Sequence, residues 1–166
     1  MKITILIGCP GSGKSTFVKN CCAGEKVISR DIIRESLGFV KKGEKALLNK
    51  DQEAEVTAEW WKQLESCGEE DNVVIDDTNL NVKFRNEMLE RIKKIHPEAK
   101  ILGVIIDAPL HLVLERRKGQ IPEKVLRRMY KAAQKLSSES LDGYPLMVYP
   151  GYPILASRPY IPYIGR

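Results

Sequence analysis

The sequence contains no apolar run long enough to cross a membrane, and it has few cysteines and histidines. A bilayer span needs about 20 consecutive apolar residues, whereas the run at residues 3–7 ends at a glycine. The four cysteines and two histidines show neither metal-ligand nor redox spacing. These absences argue against a membrane protein, a signal peptide and a zinc or disulfide framework. They favour a cytoplasmic protein with reduced thiols and no membrane partner.

Basic residues are unevenly placed along the chain. The 166 residues are 43% hydrophobic and 30% charged, which is ordinary for one globular domain with a real core. Residues 1–106 hold 17 basic and 17 acidic side chains, whereas residues 107–140 hold 8 basic and 4 acidic ones. Most of the net charge of +5 therefore falls in one segment. Such a segment suits nucleic acid or nucleotide phosphates, although a solvated helix face would give the same pattern.

Short apolar runs alternate with helical patterns over most of the chain. The expected strands lie at residues 3–7, 27–28, 73–75 and 101–106. One face of a long helix between the second and third strands is expected to hold Leu47, Ala54, Ala58 and Trp61, with Trp60 and Leu64 beside them. This alternation predicts an α/β fold with a mostly parallel sheet and helices on both faces.

The end of the sequence differs in composition from the rest. Residues 142–166 contain five of the nine prolines and five of the six tyrosines. So much aromatic surface is unfavourable in a free coil, and the segment is therefore expected to be partly ordered. We divide the chain into a domain of residues 1–141 and a Pro/Tyr-rich tail of residues 142–166. The tail is expected to pack on that domain or on a partner, with a homo-oligomer as one possibility.

The strongest motif follows the first expected strand directly. Residues 8–15 satisfy G-x-x-x-x-G-K-[ST] in full, before a helical pattern. The glycines let backbone N–H groups surround phosphate oxygens, and the helix N-terminus adds positive potential. Lys14 would reach the β- and γ-phosphates, and the Ser15 hydroxyl would bind Mg²⁺. The motif predicts an ATP and Mg²⁺ site formed by Gly8, Pro10, Gly11, Ser12, Gly13, Lys14, Ser15 and Thr16.

Two further clusters follow other expected strands, at the edge where open α/β sheets bind ligands. Asp76 and Asp77 end the strand at 73–75, and one of them, Asp76, is placed to hold the magnesium ion. A capping or turn pair is the structural alternative for these two carboxylates. Asp31 and Arg34 share one face of a helix start, where they could receive a hydroxyl proton and hold an anionic group. A helix cap with a surface ion pair is the alternative there.

Four stretches together resemble a known family. They are IGCPGSGKST at 7–16, SRDIIR at 29–34, VVIDDTNLN at 73–81 and IPEKVLRRMYK at 121–131. The chain resembles the kinase half of the bacteriophage-type 5′-hydroxyl polynucleotide kinases, repair enzymes that phosphorylate DNA and RNA ends. No D-x-D-G-T sequence is present, so the resemblance does not include the phosphatase half of the bifunctional relatives. The resemblance implies a P-loop kinase fold with a small basic lid.

The same resemblance assigns roles to single residues. It implies that Asp31 is the general base, that Arg34 holds a phosphate of the acceptor strand, and that Asp77, with Thr78 beside it, positions the acceptor. A lid arginine would stabilise the transferring phosphoryl group, and both Arg116 and Arg117 are candidates.

The sequence therefore predicts an ATP-dependent polynucleotide 5′-hydroxyl kinase, with Mg²⁺ as cofactor and DNA or RNA ends as substrate. A P-loop kinase for a small hydroxyl compound, such as a nucleoside, sugar or antibiotic, would share every P-loop residue. A non-catalytic nucleotide-binding module is an alternative of another class, although a switch has no need of an acceptor-side base such as Asp31.

Overall fold

The computed structural model describes residues 1–41, 47–136, 141 and 143–151. The strands are β1 (Lys2–Ile7), β2 (Lys26–Ile28), β3 (Asn72–Ile75), β4 (Lys100–Asp107) and β5 (Leu146–Pro150). The helices are α1 (Lys14–Cys21), α2 (Arg30–Ser36), α3 (Lys50–Glu65), α4 (Val82–Ile95), α5 (Leu110–Arg116) and α6 (Glu123–Leu136). Among these helices, none is long and apolar enough to cross a membrane.

The strands form one sheet in the order β2-β3-β1-β4-β5, and every pair in it is parallel. β1 lies at the centre, with β3 on one side and β4 on the other. Parallel neighbours need crossover connections, which the intervening helices supply. The predicted α/β fold with a parallel sheet is confirmed.

Alternate residues of β1 show why helices cover both faces. Ile3, Ile5 and Ile7 point into a core that α2, α3 and α4 complete, and each is fully buried. Leu6 points to the other face, where Phe17 of α1 packs against it. A strand that is buried on both faces reads as a continuous apolar run, which is the pattern that the sequence shows at residues 3–7.

The face that α3 buries differs in part from the prediction. Leu47 is 84% exposed, and Ala54 and Ala58 are also exposed. The helix instead buries Val56, Trp60 and Leu64, which lie four residues apart along one stripe. Trp60 and Leu64 were predicted beside the buried face, and both are buried. The prediction that Leu47, Ala54 and Ala58 lie on that face is wrong. The larger side chains remove more apolar surface from water, so they decide which stripe faces the sheet.

The edge strand β5 lies inside the segment that the sequence sets apart as a tail. It pairs with β4 from Gly103↔Leu146 to Asp107↔Pro150. The Tyr149 ring packs edge-on against Phe17 of α1, with 4.8 Å between ring centroids. Tyr144 packs against the main core cluster, and the other three tyrosines of the tail, at positions 152, 160 and 163, lie outside the described residues.

Candidate active site

The motif at residues 8–15 forms the P-loop, which connects β1 to α1 and leaves the start of α1 open. Gly11 and Gly13 adopt left-handed backbone conformations, with φ of 83° and 110°. Gly13 is also the N-cap of α1, and it has no side chain to occupy the first amide groups of the helix. These unsatisfied N–H groups and the helix dipole make a site for a phosphate group.

The Lys14 side chain folds back over the same loop. Its Nζ donates hydrogen bonds to the carbonyl oxygens of Gly8 at 2.9 Å and Cys9 at 3.1 Å. Burial lowers the pKa of the Lys14 ammonium, the Asp76 carboxylate opposes that effect, and the Arg117 charge adds to it. The ammonium is thus held at the P-loop by bonds that an incoming phosphate oxygen could replace.

Ser15 and Asp76 lie in the same cleft, whose volume is about 770 Å³. Burial raises the pKa of the Asp76 carboxyl, and the nearby Lys14 ammonium lowers it. The described residues contain no cluster of three or more His, Cys, Asp or Glu side chains that could hold a metal. One carboxylate and one hydroxyl nevertheless fit Mg²⁺, which proteins usually bind through one or two carboxylates together with substrate phosphates.

Asp77 joins the beginning of α2 to α3. Its Oδ1 accepts a hydrogen bond from the backbone N–H of Arg30, and its Oδ2 accepts one from Trp60 Nε1, both at 3.0 Å. Burial raises the pKa of this carboxyl, and the bond from Arg30 opposes the rise. Thr78 follows it, and its carbonyl accepts a hydrogen bond from the Gly8 N–H at 3.1 Å. Both residues line the cleft, and Asp77 fixes the helix that carries Asp31.

Asp31 and Arg34 form an ion pair in the cleft, and a third residue completes the group. Arg34 Nη1 donates to Asp31 Oδ1 at 2.8 Å. The Nη2 of Arg34 donates to both carboxylate oxygens of Glu53 at 3.0 Å. The Asp31 side chain is 86% exposed and the Arg34 side chain 17%. The structural alternative for Asp31 and Arg34 was a helix cap with an ion pair. The ion pair is present, but Asp31 is not the cap, because the N-cap of α2 is Ser29.

Glu53 was not predicted as a site residue. It lies on α3 four residues before Thr57 and seven before Trp60, and Arg30 Nη1 donates to Thr57 Oγ1 at 2.9 Å. The helical spacing of these three residues could have indicated that one side of α3 faces the cleft.

The two arginines that the resemblance assigns to a lid, Arg116 and Arg117, have different surroundings. Arg116 Nη1 donates to the carbonyls of Gly11 at 2.9 Å and Gly151 at 3.0 Å, so it ties the P-loop to the end of β5. Arg117 donates to Gln120 Oε1 at 2.9 Å and lines the main cleft. Both side chains also line a cavity of about 230 Å³ above the P-loop.

Two residues that sequence reasoning left without a role hold the turn after β3. Asn79 is buried at φ 48°, and its Nδ2 donates to the Leu6 carbonyl at 2.8 Å. The buried Arg85 donates to the Asn79 carbonyl at 2.7 Å. A non-glycine residue in this conformation is uncommon. Here a hydrogen bond to the carboxyl end of β1 and one from the first turn of α4 keep it in place. The T-N pair in the quoted stretch at 73–81 was the available signal.

Most of the predicted site residues meet in this region. Those lining the main cleft are Pro10, Lys14, Ser15, Asp31, Arg34, Asp76, Asp77, Thr78 and Arg117. Those lining the smaller cavity include Gly11, Gly13, Thr16 and Arg116. Gly8 and Ser12 form the base of the loop, where a Cβ on Gly8 would lie 2.7 Å from the Ser12 hydroxyl.

Comparisons with known proteins identify the family to which the chain belongs. A family model described as an AAA domain matches residues 3–136. A protein of Autographa californica nuclear polyhedrosis virus is 28% identical over 82% of this chain, and the match spans 21% of that relative. Its name, given provisionally, is bifunctional polynucleotide kinase/RNA ligase. The chain thus covers about a fifth of the length of this relative.

Solved structures agree on the fold. A chain of the Pnkp1/Rnl/Hen1 RNA repair complex is 26% identical, with a TM-score of 0.64 over 82% of this chain and 45% of that one. A gluconokinase from Sinorhizobium meliloti 1021 is 19% identical, with a TM-score of 0.54 over 93% of this chain and 85% of that one. The latter shows likeness of fold alone. The protein therefore belongs to the AAA domain family and has the α/β fold of the P-loop kinases.

Proposed function

We propose that the protein is an ATP-dependent polynucleotide 5′-hydroxyl kinase, which transfers the γ-phosphoryl group of ATP to the 5′ end of a DNA or RNA strand. The observation that carries the proposal is the Asp31–Arg34 pair, which shares one cleft with Lys14 and the P-loop. A nucleotide-binding module has no use for an acceptor-side base. The names of the viral relative and of the RNA repair complex support a nucleic-acid acceptor.

The phosphate side of the site would bind ATP through the P-loop. Backbone N–H groups at the start of α1 would surround the phosphates, and the Lys14 ammonium would leave its carbonyl partners for the β- and γ-phosphates. Ser15 and Asp76 would hold Mg²⁺, which supplies charge neutralisation when it is bound. Arg117, facing the cleft, would stabilise the transferring group.

The acceptor side would position the hydroxyl and take its proton. The 5′ oxygen forms a bond to the γ-phosphorus as the bond from that phosphorus to the leaving oxygen of ADP breaks. The hydroxyl proton passes to a carboxylate oxygen of Asp31, which is 86% exposed and accessible in the cleft. Arg34, held by Glu53, fixes the orientation of that carboxylate, and its contact with a phosphate of the acceptor strand stays a prediction. In a loose transition state such positioning supplies much of the rate enhancement.

The test is transfer from γ-labelled ATP to matched oligonucleotides with a 5′-hydroxyl or a 5′-phosphate end. Label entering only the 5′-hydroxyl strands supports the proposal. Transfer to nucleosides or sugars but to neither strand would contradict it and establish a small-acceptor kinase. Binding of ATP with no transfer to any hydroxyl acceptor would contradict the proposal and favour a non-catalytic nucleotide-binding module.

A further inference from the structure

The α6 helix presents three cations along one exposed stripe. Lys124, Arg128 and Lys131 are spaced by four and three residues, which places them on one side of a helix. All three are exposed, and within the described part of the chain none has an ion-pair partner. By contrast, the neighbouring Arg127 is neutralised by Glu123 at 2.6 Å. We call Lys124, Arg128 and Lys131 the α6 cationic face.

The other side of α6 explains why this stripe faces solvent. Leu126 is buried against Cys9 and Val113, and Met129 and Tyr130 pack against the same cluster. The apolar side chains therefore fix the rotation of the helix, and the cationic face must point away from the core.

The cleft itself lacks an excess of positive charge. Its cations are Lys14, Arg30, Arg34 and Arg117, and its anions are Asp31, Glu53, Asp76 and Asp77. The Arg34 guanidinium is shared by two carboxylates, so this group of three carries a net negative charge. A polyanionic strand that enters the cleft would therefore gain little electrostatic attraction there, and its affinity must come from another surface.

The cleft and the α6 cationic face are connected along the surface. Arg117 lines both the cleft and a neighbouring cavity over residues 118–121. Glu123 lines that cavity and also the shallow groove formed by Lys124, Arg127, Arg128 and Lys131. A strand with its 5′ end in the cleft has a continuous surface path to the cations of α6.

From this juxtaposition we infer that the α6 cationic face binds the phosphodiester backbone of the acceptor strand, several nucleotides from its 5′ end. The inference rests on the proposed function, because it takes the strand to be the acceptor. Contact with this face would make long strands better substrates than short ones, because they bind more tightly and not because kcat is higher. The contacts are to phosphates, so they carry no base preference.

The test uses a variant with Lys124→Ala, Arg128→Ala and Lys131→Ala, a labelled 20-nucleotide strand and a 5′-hydroxyl dinucleotide. The Kd for the long strand, measured by fluorescence anisotropy, should rise about tenfold or more at low salt. The slope of log Kd against log salt should fall by about 2, since each single-strand phosphate contact contributes about 0.7. The kcat and the dinucleotide KM should stay unchanged.

A matched control removes the same charge elsewhere. Lys2, Lys94 and Lys100 are exposed near the amino-terminal ends of β1 and β4, at the opposite end of the strands from the cleft, and Lys2 forms a long ion pair with Glu25 at 3.7 Å. The triple alanine variant at these positions should bind the long strand nearly as tightly as the wild type does. Equal weakening in both variants, or no weakening in the α6 variant, would overturn the inference. Wild-type enzyme that binds the long strand through α6 but phosphorylates neither acceptor would refute only the proposed function.

Discussion

At the scale of single residues, the acceptor side depends on how one guanidinium is shared. Arg34 donates to Asp31 on its exposed side and to Glu53 on its inner side. Bidentate arginine–carboxylate pairs fix geometry as well as charge. Asp31 lies in the first turn of α2, and its bond to Arg34 orients its carboxylate at the cleft. Most of the surface of the Asp31 side chain remains open to a substrate.

Replacement of Asp31 by Asn should separate catalysis from binding. The amide keeps the shape of the side chain but lacks the negative charge that makes a carboxylate oxygen basic enough to accept the proton. We expect kcat for a 5′-hydroxyl strand to fall by roughly 10²- to 10⁴-fold, the usual contribution of a positioned base. ATP affinity, measured by calorimetry, should change little because Lys14, Ser15 and the loop bind the phosphates. An Asp31→Asn enzyme with near-normal turnover would refute the catalytic role.

Glu53→Gln should act through Arg34 and not on the reacting atoms. The neutral amide cannot hold both guanidinium nitrogens by charge, so Arg34 can swing and Asp31 loses its orientation. We expect kcat to fall by about tenfold or less, with the KM for ATP unchanged, because the proton acceptor remains. Glu55, exposed on the same helix, provides the control: Glu55→Gln should leave kcat unchanged. A fall in kcat as large as that of Asp31→Asn would show that Glu53 itself takes part in proton transfer.

The sequence predicted these residues unequally for a physical reason. Lys14 and Ser15 follow from local spacing, since the loop alone determines where they point. Asp77 was expected at the acceptor, yet its two oxygens bond Arg30 and Trp60, and direct contact with the acceptor stays a prediction. The spacing of Glu53, Thr57 and Trp60 indicates a common side of α3, but the partner of Glu53 is set by the packing of α2 against α3, which no local pattern encodes.

At the scale of elements, the end of β5 supports the P-loop. The Gly151 N–H donates to the Asp107 carbonyl at 2.5 Å, and its own carbonyl accepts from Arg116. A Cβ on Gly151 would overlap the Ser12 carbonyl oxygen. The close approach of these two backbones leaves room for glycine only.

Gly151→Ala should therefore loosen the nucleotide site. Relief of the overlap requires a shift of β5 or of the P-loop, and overpacking of this kind costs about 1–3 kcal/mol. We expect a lower Tm, measured by thermal unfolding, and weaker ATP binding, measured by calorimetry. Gly68→Ala is the matched control, since its Cβ would meet only a carboxylate oxygen at 3.8 Å. Normal ATP affinity in Gly151→Ala would show that β5 does not position the loop.

The elements themselves were predictable where their signal is local. The apolar runs at β1 and β4 and the Asn81 cap of α4, which bonds the Phe84 N–H at 3.2 Å, all follow from short patterns. The strand β5 was not predicted, because it contains Pro150 and follows Pro145, residues that disfavour strands. An edge position tolerates them. Gly103 in β4 also permits the pairing, since a Cβ there would lie 2.7 Å from Leu146.

At the scale of the whole molecule, the cleft is built from separate parts of the chain, so a nucleotide bound there should stabilise the entire fold. Lys14 and Ser15 come from α1, Asp76 follows β3, and Arg117 follows α5. A ligand that binds only the folded state at 100 times its Kd adds about 2.7 kcal/mol. For a chain of this size that corresponds to roughly 5–10 °C in Tm.

Lys14→Ala should remove most of this ATP-dependent rise without destabilising the protein alone. In the absence of nucleotide the hydrogen bonds of the ammonium within the described residues go to two loop carbonyls, so its loss has little effect on the core. With nucleotide it would neutralise phosphate charge, and both the shift in Tm and phosphoryl transfer should be lost. Thermal unfolding with and without ATP and Mg²⁺ measures this, and Lys94→Ala, on the far end of α4, should keep the full shift. A Lys14→Ala protein that is folded, stabilised by ATP and active would show that the loop does not bind the transferred phosphates.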